Sequence, residues 1–200
     1  MNNICILDYN IGNLFALKNI FEKFDCNILI SKKKKDILKC DLLVLPGVGT
    51  FPEVIKFLKF HKIDKAIIKR YNEKKNILGI CIGLQIFSLY SEEIKKTSGL
   101  KLINFKTIKF DKNASHIGWN KVLMKNSLDE YGIHGKYFYF NHSFYLNHSK
   151  KEKKNVKYTS NFKRSFPALV KKGSFIGTAF HPEKSQKNGE YFISKILNYV

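Results

Sequence analysis

Three short stretches of this chain carry residue types that could do covalent chemistry together. In Gly79-Ile80-Cys81-Ile82-Gly83 a cysteine stands between two glycines, directly after Asn76-Ile77-Leu78 and before Leu84-Gln85-Ile86-Phe87. That order reads as a buried strand, a sharp turn and a helix, with the thiol at the corner. A thiolate attacks where a thiol barely does. A helix N-terminus brings unpaired N–H groups, Ile82 among them, and the positive dipole end to the sulfur. Glycines on both sides allow the close approach that such an elbow demands, as in the serine version of the motif. The same five residues also fit a small core cysteine with glycines for packing.

One hundred residues further on, His181-Pro182-Glu183 puts a base and a carboxylate on one short stretch. His181 would take the proton from Cys81 and return it to a departing amine, while Glu183 would hold the imidazole in the useful tautomer. The third stretch is Pro46-Gly47-Val48-Gly49, after Leu42–Leu45. A glycine-flexible turn at a strand end can aim backbone N–H groups at a developing oxyanion, beside that of Ile82. On its own it is an ordinary Pro-Gly turn. His61, His116, His134 and His148 read as structural or exposed.

Such residues meet only if strands deliver them to one edge. Ile4–Leu7, Ile28–Ile30, Leu42–Leu45 and Ile77–Ile80 are short and apolar along their length. Between them run helical spacings: Leu14, Leu17, Phe21 and Phe24, then Val54, Phe57 and Leu58 as far as Ile67-Ile68. This alternation predicts a mostly parallel central sheet with helices on both faces, an α/β flavodoxin-like arrangement. Sites in such sheets lie at the carboxyl ends of strands, and His181 follows the run Phe175–Phe180. The second half predicts additional, antiparallel strands at Lys106–Phe110, Lys121–Met124, Tyr137–Phe140, Val156–Ser160, Ala168–Lys171 and Ser174–Phe180. A last helix is expected over Glu190–Asn198, and Asn147–Lys157 reads as a mobile hairpin loop. With no repeat and few linkers, residues 1–200 read as one domain.

No stretch has the length and apolarity of a membrane span, and the start lacks the pattern of a signal peptide. The cysteines Cys5, Cys26, Cys40 and Cys81 are far apart, with no metal-ligand spacing, so free thiols in a reducing cytoplasm are expected and no metal is called for. The formal net charge of +20 invites a nucleic-acid reading. Against it, only Arg70 and Arg164 are arginine, the residue suited to bidentate phosphate and base contacts. Abundant lysine, asparagine, isoleucine and phenylalanine are what an AT-rich genome produces. The Lys32–Lys35 and Lys150–Lys154 runs read as solvated loops.

With these motifs in view, the chain resembles the class I, triad-type glutamine amidotransferases, and within them the glutaminase subunits of imidazole glycerol phosphate synthases. The resemblance rests on Asp8–Leu14, Leu45–Phe51, the Cys81 elbow with Gln85, Gly118-Trp119-Asn120, Tyr139–Phe144 and His181–Ser185. It implies that Cys81, His181 and Glu183 are catalytic, with glutamine hydrolysed through a γ-glutamyl thioester and no cofactor. It implies that Gln85 and the backbone around His142-Ser143-Phe144 hold the substrate. Gly47, Val48 and Gly49 match the turn that, after a peptide flip, completes an oxyanion hole with Ile82. Asn13, Trp119 and Lys184 match positions at the junction with a (β/α)₈ cyclase subunit, to which ammonia passes in histidine biosynthesis. Without the resemblance these three read as a helix cap, a core aromatic and a solvated lysine. Departures from the family pattern are Asn10 in place of glycine, Phe144 in place of tyrosine, Ser115-His116 near a usual proline and Lys101 in place of a small residue. They leave room for an alternative acceptor, a sugar-modifying amidotransferase of surface-polysaccharide synthesis. A basic nucleic-acid-binding protein on the same scaffold is the alternative of another class.

Overall fold

The computed structural model describes residues 1–125 and 128–200. Its first half alternates strands and helices: β1 (Asn2–Leu7), α1 (Phe15–Phe21), β2 (Cys26–Ser31), α2 (Lys34–Lys39), β3 (Leu42–Leu45), α3 (Phe51–Phe60), α4 (Ile63–Asn72), β4 (Asn76–Ile80) and α5 (Ile82–Gln85). The second half adds β5 (Tyr90–Ser91), β6 (Thr97–Ser98), β7 (Phe105–Lys109), β8 (His116–Lys121), β9 (Leu123–Met124), β10 (Tyr137–His142), β11 (Phe144–His148), β12 (Val156–Phe162), β13 (Arg164–Lys172), β14 (Phe175–Thr178) and α6 (Gln186–Leu197).

The main sheet has the order β2-β1-β3-β4-β14-β13-β12-β9. Its first five strands are parallel, and β13, β12 and β9 continue antiparallel. β3 and β14 are buried at every position, the mark of strands covered on both faces and the reason their sequences are apolar throughout. Two groups of helices supply that cover, α1 with α6, and α4 with α2 and α3. β10 and β8 form a separate two-stranded ribbon, and β11, β7, β5 and β6 a small four-stranded sheet. The expected α/β class is therefore found, with the antiparallel strands confined largely to the second half.

Several boundaries differ from the sequence reading. The helix expected to run from Val54 to Ile68 is two helices, because Lys62 takes a left-handed backbone (φ 55°) between them. A capping box starts α3: the Glu53 carboxylate accepts from the Thr50 N–H at 3.1 Å and from its hydroxyl at 2.7 Å. The Lys32–Lys35 run is not a loop throughout, since α2 begins at Lys34. Asn147–Lys157 is not a loop either. It holds the end of β11, a 3₁₀ turn over Lys150–Asn155 and the start of β12, with Glu152 buried and accepting from Asn155 Nδ2. Lys121–Met124 is split between β8 and β9, β14 ends at Thr178, and α6 begins four residues before Glu190.

The structural arginine is Arg70 on α4, fully buried and, among the described residues, in no ion pair with a carboxylate within 4 Å. Its nitrogens donate to the carbonyls of Ile37, Cys40, Asp41 and Asn76 at 2.8–3.1 Å. These bonds tie α4 to the end of α2 and the starts of β3 and β4.

Behind the ribbon lies an aromatic cluster with two histidines in it. The His116 ring is stacked between Phe140 and Phe162, with centroids 4.6 Å away on each side. His142 packs against Phe110 and Phe166 at 5.4 and 5.3 Å. Burial lowers both imidazoles from 6.5, His116 to about 4 and His142 to about 3. The ribbon reaches the main sheet through a bridge between Phe140 and Phe180, just beyond β14.

Two predictions follow from this packing. A Cβ on Gly189 would lie 1.9 Å from the Pro182 carbonyl oxygen. Gly189→Ala should therefore cost about 1–3 kcal/mol in urea unfolding by forcing α6 off the Pro182 turn; an unchanged midpoint would contradict the close contact. For the histidines, the unfolded chain takes up protons before the folded one does. Their contribution to stability is complete above pH 6.5 and is lost as pH falls toward about 4 and about 3. His116→Phe should reduce the acid-side slope of stability by about 1.4 kcal/mol per pH unit below 6.5, read from urea unfolding at a series of pH values.

Candidate active site

Strands β3, β4 and β14 lie side by side with Leu45 opposite Gly79 and Gly79 opposite Gly177. The Pro46 turn, Cys81 and His181 consequently emerge from the same edge of the sheet. At Cys81 the backbone is in a region side chains avoid (φ 49°, ψ −105°). Its N–H donates to the Thr178 carbonyl at 2.7 Å, and its own carbonyl accepts from the N–H groups of Leu84 and Gln85 at 3.0 and 3.1 Å. The chain is thereby bent from strand into helix with the thiol at the bend, a strained conformation of the kind stored at functional sites. The glycines are sterically required. A Cβ on Gly83 would meet the Leu45 oxygen at 2.2 Å, and one on Gly79 the Gly83 oxygen at 2.5 Å.

The helix after this elbow corrects one expectation. α5 comprises only Ile82–Gln85, so no long macrodipole points at the sulfur, and what a single turn offers is its free N–H groups. Positive charge comes instead from His181. A Cβ on Gly47 would touch His181 Cε1 at 2.7 Å and Cys81 Cβ at 3.1 Å, so the two side chains meet over one glycine. His181 Nδ1 donates to Glu183 Oε1 at 2.7 Å. Its Nε2 is buried with no hydrogen-bond partner; Cys81 is near enough to act on the ring's charge, while the Cys81 Sγ donates to the Asn141 carbonyl at 3.8 Å. Burial alone would lower the imidazole. Negative charge on Cys81 and the Glu183 carboxylate outweigh it and raise His181 to about 10.

Two residues that sequence reasoning passed over complete the setting. The Ser185 hydroxyl donates to the His181 carbonyl at 2.6 Å and accepts from the Tyr139 N–H at 3.0 Å, while the His181 N–H donates to the Tyr139 carbonyl at 2.8 Å. Ser185 stands at the head of α6 yet makes no capping bond to that helix; its oxygen is committed to holding His181. Glu93 lines the cavity over Cys81, and its Oε2 accepts from the Phe51 N–H at 2.7 Å. Burial pushes the Glu93 carboxyl up, against the effect of that N–H. Ser185 lay inside a motif already in view; Glu93 follows an unremarkable Ser91-Glu92 and had no sequence signal.

The expected site residues divide between two cavities that share Gly47. One, of about 230 Å³, is lined by Cys81, Gly47, Gly49, Ile82 and Gln85, with His142-Ser143-Phe144 on the opposite wall. The Phe144 carbonyl accepts from Gln85 Nε2 at 3.0 Å and from His142 Nδ1 at 2.7 Å, and the Ser143 hydroxyl pairs with that of Ser115 at 2.7 Å. The other, of about 300 Å³, is lined by Asn13, Val48, His181, Glu183 and Lys184. Asn13 Oδ1 also accepts from the Phe15 N–H at 2.8 Å, but the N-cap of α1 is Leu14 and carries no side-chain cap, so the helix-cap reading of Asn13 does not hold. Lys184 is exposed, with its ammonium 5.7 Å from the Tyr139 ring centroid. Trp119 lines neither cavity and is no core aromatic. It is 45% exposed and meets Tyr139 edge-on at 6.0 Å. Two departures from the family pattern, Asn10 and Lys101, both have positive φ (57° and 59°), the conformation that small residues favour. Asn10 is held there by its N–H to Asp8 Oδ1 at 2.7 Å.

Among the described residues no group of three or more His, Cys, Asp or Glu side chains is placed to hold a metal ion, and no helix is long and apolar enough to cross a membrane. The arrangement is that of a strained thiol, an imidazole and a carboxylate beside a small polar cavity, which suits nucleophilic acyl transfer.

Comparison with known proteins points the same way. Residues 5–197 match the glutamine amidotransferase class-I family. The chain is 37% identical to imidazole glycerol phosphate synthase subunit HisH 1 of Methanococcus maripaludis, over 98% of this chain and all of that protein. It is 39% identical to imidazole glycerol phosphate synthase subunit HisH 2 of Campylobacter jejuni, over 98% of each. Among solved structures, that of PurLQS from Thermotoga maritima has the same fold, with a TM-score of 0.76 at 19% identity over 100% of this chain and 99% of that one. With an end-to-end family match and the elbow, turn and histidine at one sheet edge, the chain belongs to the class I glutamine amidotransferases.

Proposed function

We propose that this chain is the glutaminase subunit of an imidazole glycerol phosphate synthase, with residues 1–200 working as one amidotransferase domain in the cytoplasm. The observation that carries the reading is the meeting of Cys81 and His181 over Gly47, with Glu183 at 2.7 Å from the imidazole. Relatives bearing the synthase name match over nearly their whole length. Neither a sugar-modifying partner nor a nucleic-acid role is favoured by any feature described above.

In the proposed reaction the Cys81 thiolate attacks the side-chain amide carbon of glutamine. The N–H of Ile82 and the Gly47-Val48-Gly49 turn stabilise the oxyanion that develops. His181, held protonated by its two anionic neighbours, gives its proton to the amide nitrogen, and ammonia departs from the thioester. Neutral His181 then takes a proton from water, which attacks the thioester, and glutamate leaves. Gln85, Ser143 and the Phe144 backbone hold the substrate, and Glu93, the carboxylate on the cavity wall beside Cys81, faces its α-ammonium group. Glu183 keeps the imidazole oriented throughout.

Ammonia released into water becomes ammonium and loses its nucleophilicity, so the second cavity, beyond Gly47, is its exit toward a (β/α)₈ cyclase partner. Asn13 and Lys184 line that exit. Beside it the ribbon presents Ile117, Trp119 and Tyr137, all on one face by strand alternation and all exposed. These side chains form the apolar part of the heterodimer contact. No nucleic acid, membrane, metal or cofactor takes part.

Cys81→Ala should lower glutamine hydrolysis by about 10⁴-fold or more without loss of the folded state or of partner binding, read from glutamate release and size-exclusion chromatography. Full turnover by this variant would refute the assignment. The wild-type chain alone should release glutamate at least about ten-fold more slowly than with the cyclase subunit and its ligand, because docking selects the turn conformation that completes the oxyanion hole. Equal rates would show that the turn is already active in isolation.

A further inference from the structure

The segment Asn141–Phe144 forms one wall of the cavity over Cys81, and the reaction described above leaves its His142 ring idle. Here the chain passes from one sheet to another: β10 ends at His142 in the two-stranded ribbon, and β11 begins at Phe144 in the four-stranded sheet. On one side of this step the Asn141 carbonyl lies 3.8 Å from Cys81 Sγ. On the other, the Phe144 carbonyl accepts from Gln85 Nε2 at 3.0 Å. His142 Nδ1 reaches the same Phe144 oxygen at 2.7 Å, so the ring's bond spans the step.

Hydrogen-bond chemistry fixes the form of this ring. A carbonyl only accepts, so Nδ1 carries the proton. Burial keeps the imidazole uncharged near neutral pH, which leaves Nε2 bare and, among the described residues, without a partner. His116 is held in the same tautomer by a separate route. Asn120 Oδ1 accepts from the Lys121 N–H at 2.8 Å and Asn120 Nδ2 donates to the Asn161 carbonyl at 2.6 Å, which sets the amide from both ends. That nitrogen is 3.3 Å from His116 Nε2, which therefore accepts, and the His116 proton sits on Nδ1. The two rings, with centroids 5.3 Å apart, are left with one unpartnered donor on His116 and one unpartnered acceptor on His142.

We propose that the His142 imidazole is a positioning residue for glutamine binding: its Nδ1–H and the Gln85 amide together saturate the Phe144 carbonyl and set the wall on which the substrate rests. A carbonyl oxygen has two lone pairs, and both are taken here. Rotating this peptide would break two bonds, and the Gln85 side chain is oriented by the same oxygen. Phe110, Phe140 and Phe166 surround the ring at 5.4, 5.7 and 5.3 Å, and none of them has a donor to put in its place. The inference rests on the glutaminase reading of the cavity. Because His142 touches none of the reacting atoms, its loss should weaken binding and spare the chemical steps.

The test compares two variants of the full chain in complex with the cyclase subunit. His142→Phe keeps the ring without a donor, and His142→Asn places an amide N–H where Nδ1 stands along the side chain. His142→Phe should raise KM for glutamine about ten-fold with kcat within roughly two-fold of wild type, and His142→Asn should bring KM back to within about three-fold. A purely structural residue would lower kcat through the fraction folded and leave KM alone; that result overturns the proposal, as does a His142→Asn protein no better than His142→Phe. Wild-type turnover checks the glutaminase reading separately. Its absence would sink that reading and this inference with it, whereas normal wild-type turnover beside an unaltered KM in His142→Phe would sink the inference alone. Should a variant fail to fold, nitrogen-15 NMR of the imidazoles decides. His142 should carry its proton on Nδ1, and that signal should shift when glutamine is added to the Cys81→Ala chain. A proton on Nε2, or a ring indifferent to saturating glutamine, overturns the proposal.

Discussion

The site depends on three parallel strands ending in step. With Leu45, Gly79 and Gly177 abreast across β3, β4 and β14, the turn, the elbow and the histidine segment leave the sheet at one level. A slip of one residue in any of these ladders would turn its side chains to the opposite face. The register is enforced by contact as well as by hydrogen bonds. Gly83 packs on the Leu45 carbonyl, and a side chain at Gly177 would collide with Leu84 at 2.3 Å. Backbones that approach this closely leave one solution for the position of Cys81. The Cys81 N–H bond to Thr178 then fastens the elbow to the strand that leads to His181.

Electrostatics at the site is a contest between burial and neighbours. His181 is almost wholly enclosed, which disfavours its charge, yet it ends well above its ordinary value because two anionic partners flank it. His142 and His116, a short distance away and just as enclosed, have aromatic rings around them and shift the other way. Three histidines in one region therefore differ in charge because of what each one touches. The short α5 makes the same point for the sulfur: its helix is too small to matter much, and the imidazole carries the positive charge.

The parallel core was legible because β3, β4 and β14 are buried on both faces and must be apolar along their length. That Cys81, His181 and the Pro46 turn leave one edge of the sheet was legible because each follows such a strand. What escaped was decided by contacts distant in sequence or by single backbone angles. Nothing in Lys59–Ile63 announces that Lys62 will turn left-handed and divide a helix. Ser185 had no assigned role, and only the fold shows that it stands at the head of α6 with its hydroxyl turned back to His181. Glu93 is one exposed-looking acid among several until β5 and the start of α3 bring it beside Cys81. Asn10 and Lys101 stood out as oddities in the sequence, and their positive φ explains why smaller residues would be at ease there.

The basic residues of this chain are lysine almost everywhere, with Arg70 and Arg164 as the exceptions. Surface ammonium groups are solvated points of charge, and lysine serves there as well as arginine would. Arg70 is different, since its planar fork satisfies four carbonyls on three segments simultaneously. Three donors on a single ammonium nitrogen cannot span that set. At this one buried position charge must be spread over a rigid plane, and only arginine can meet that geometry.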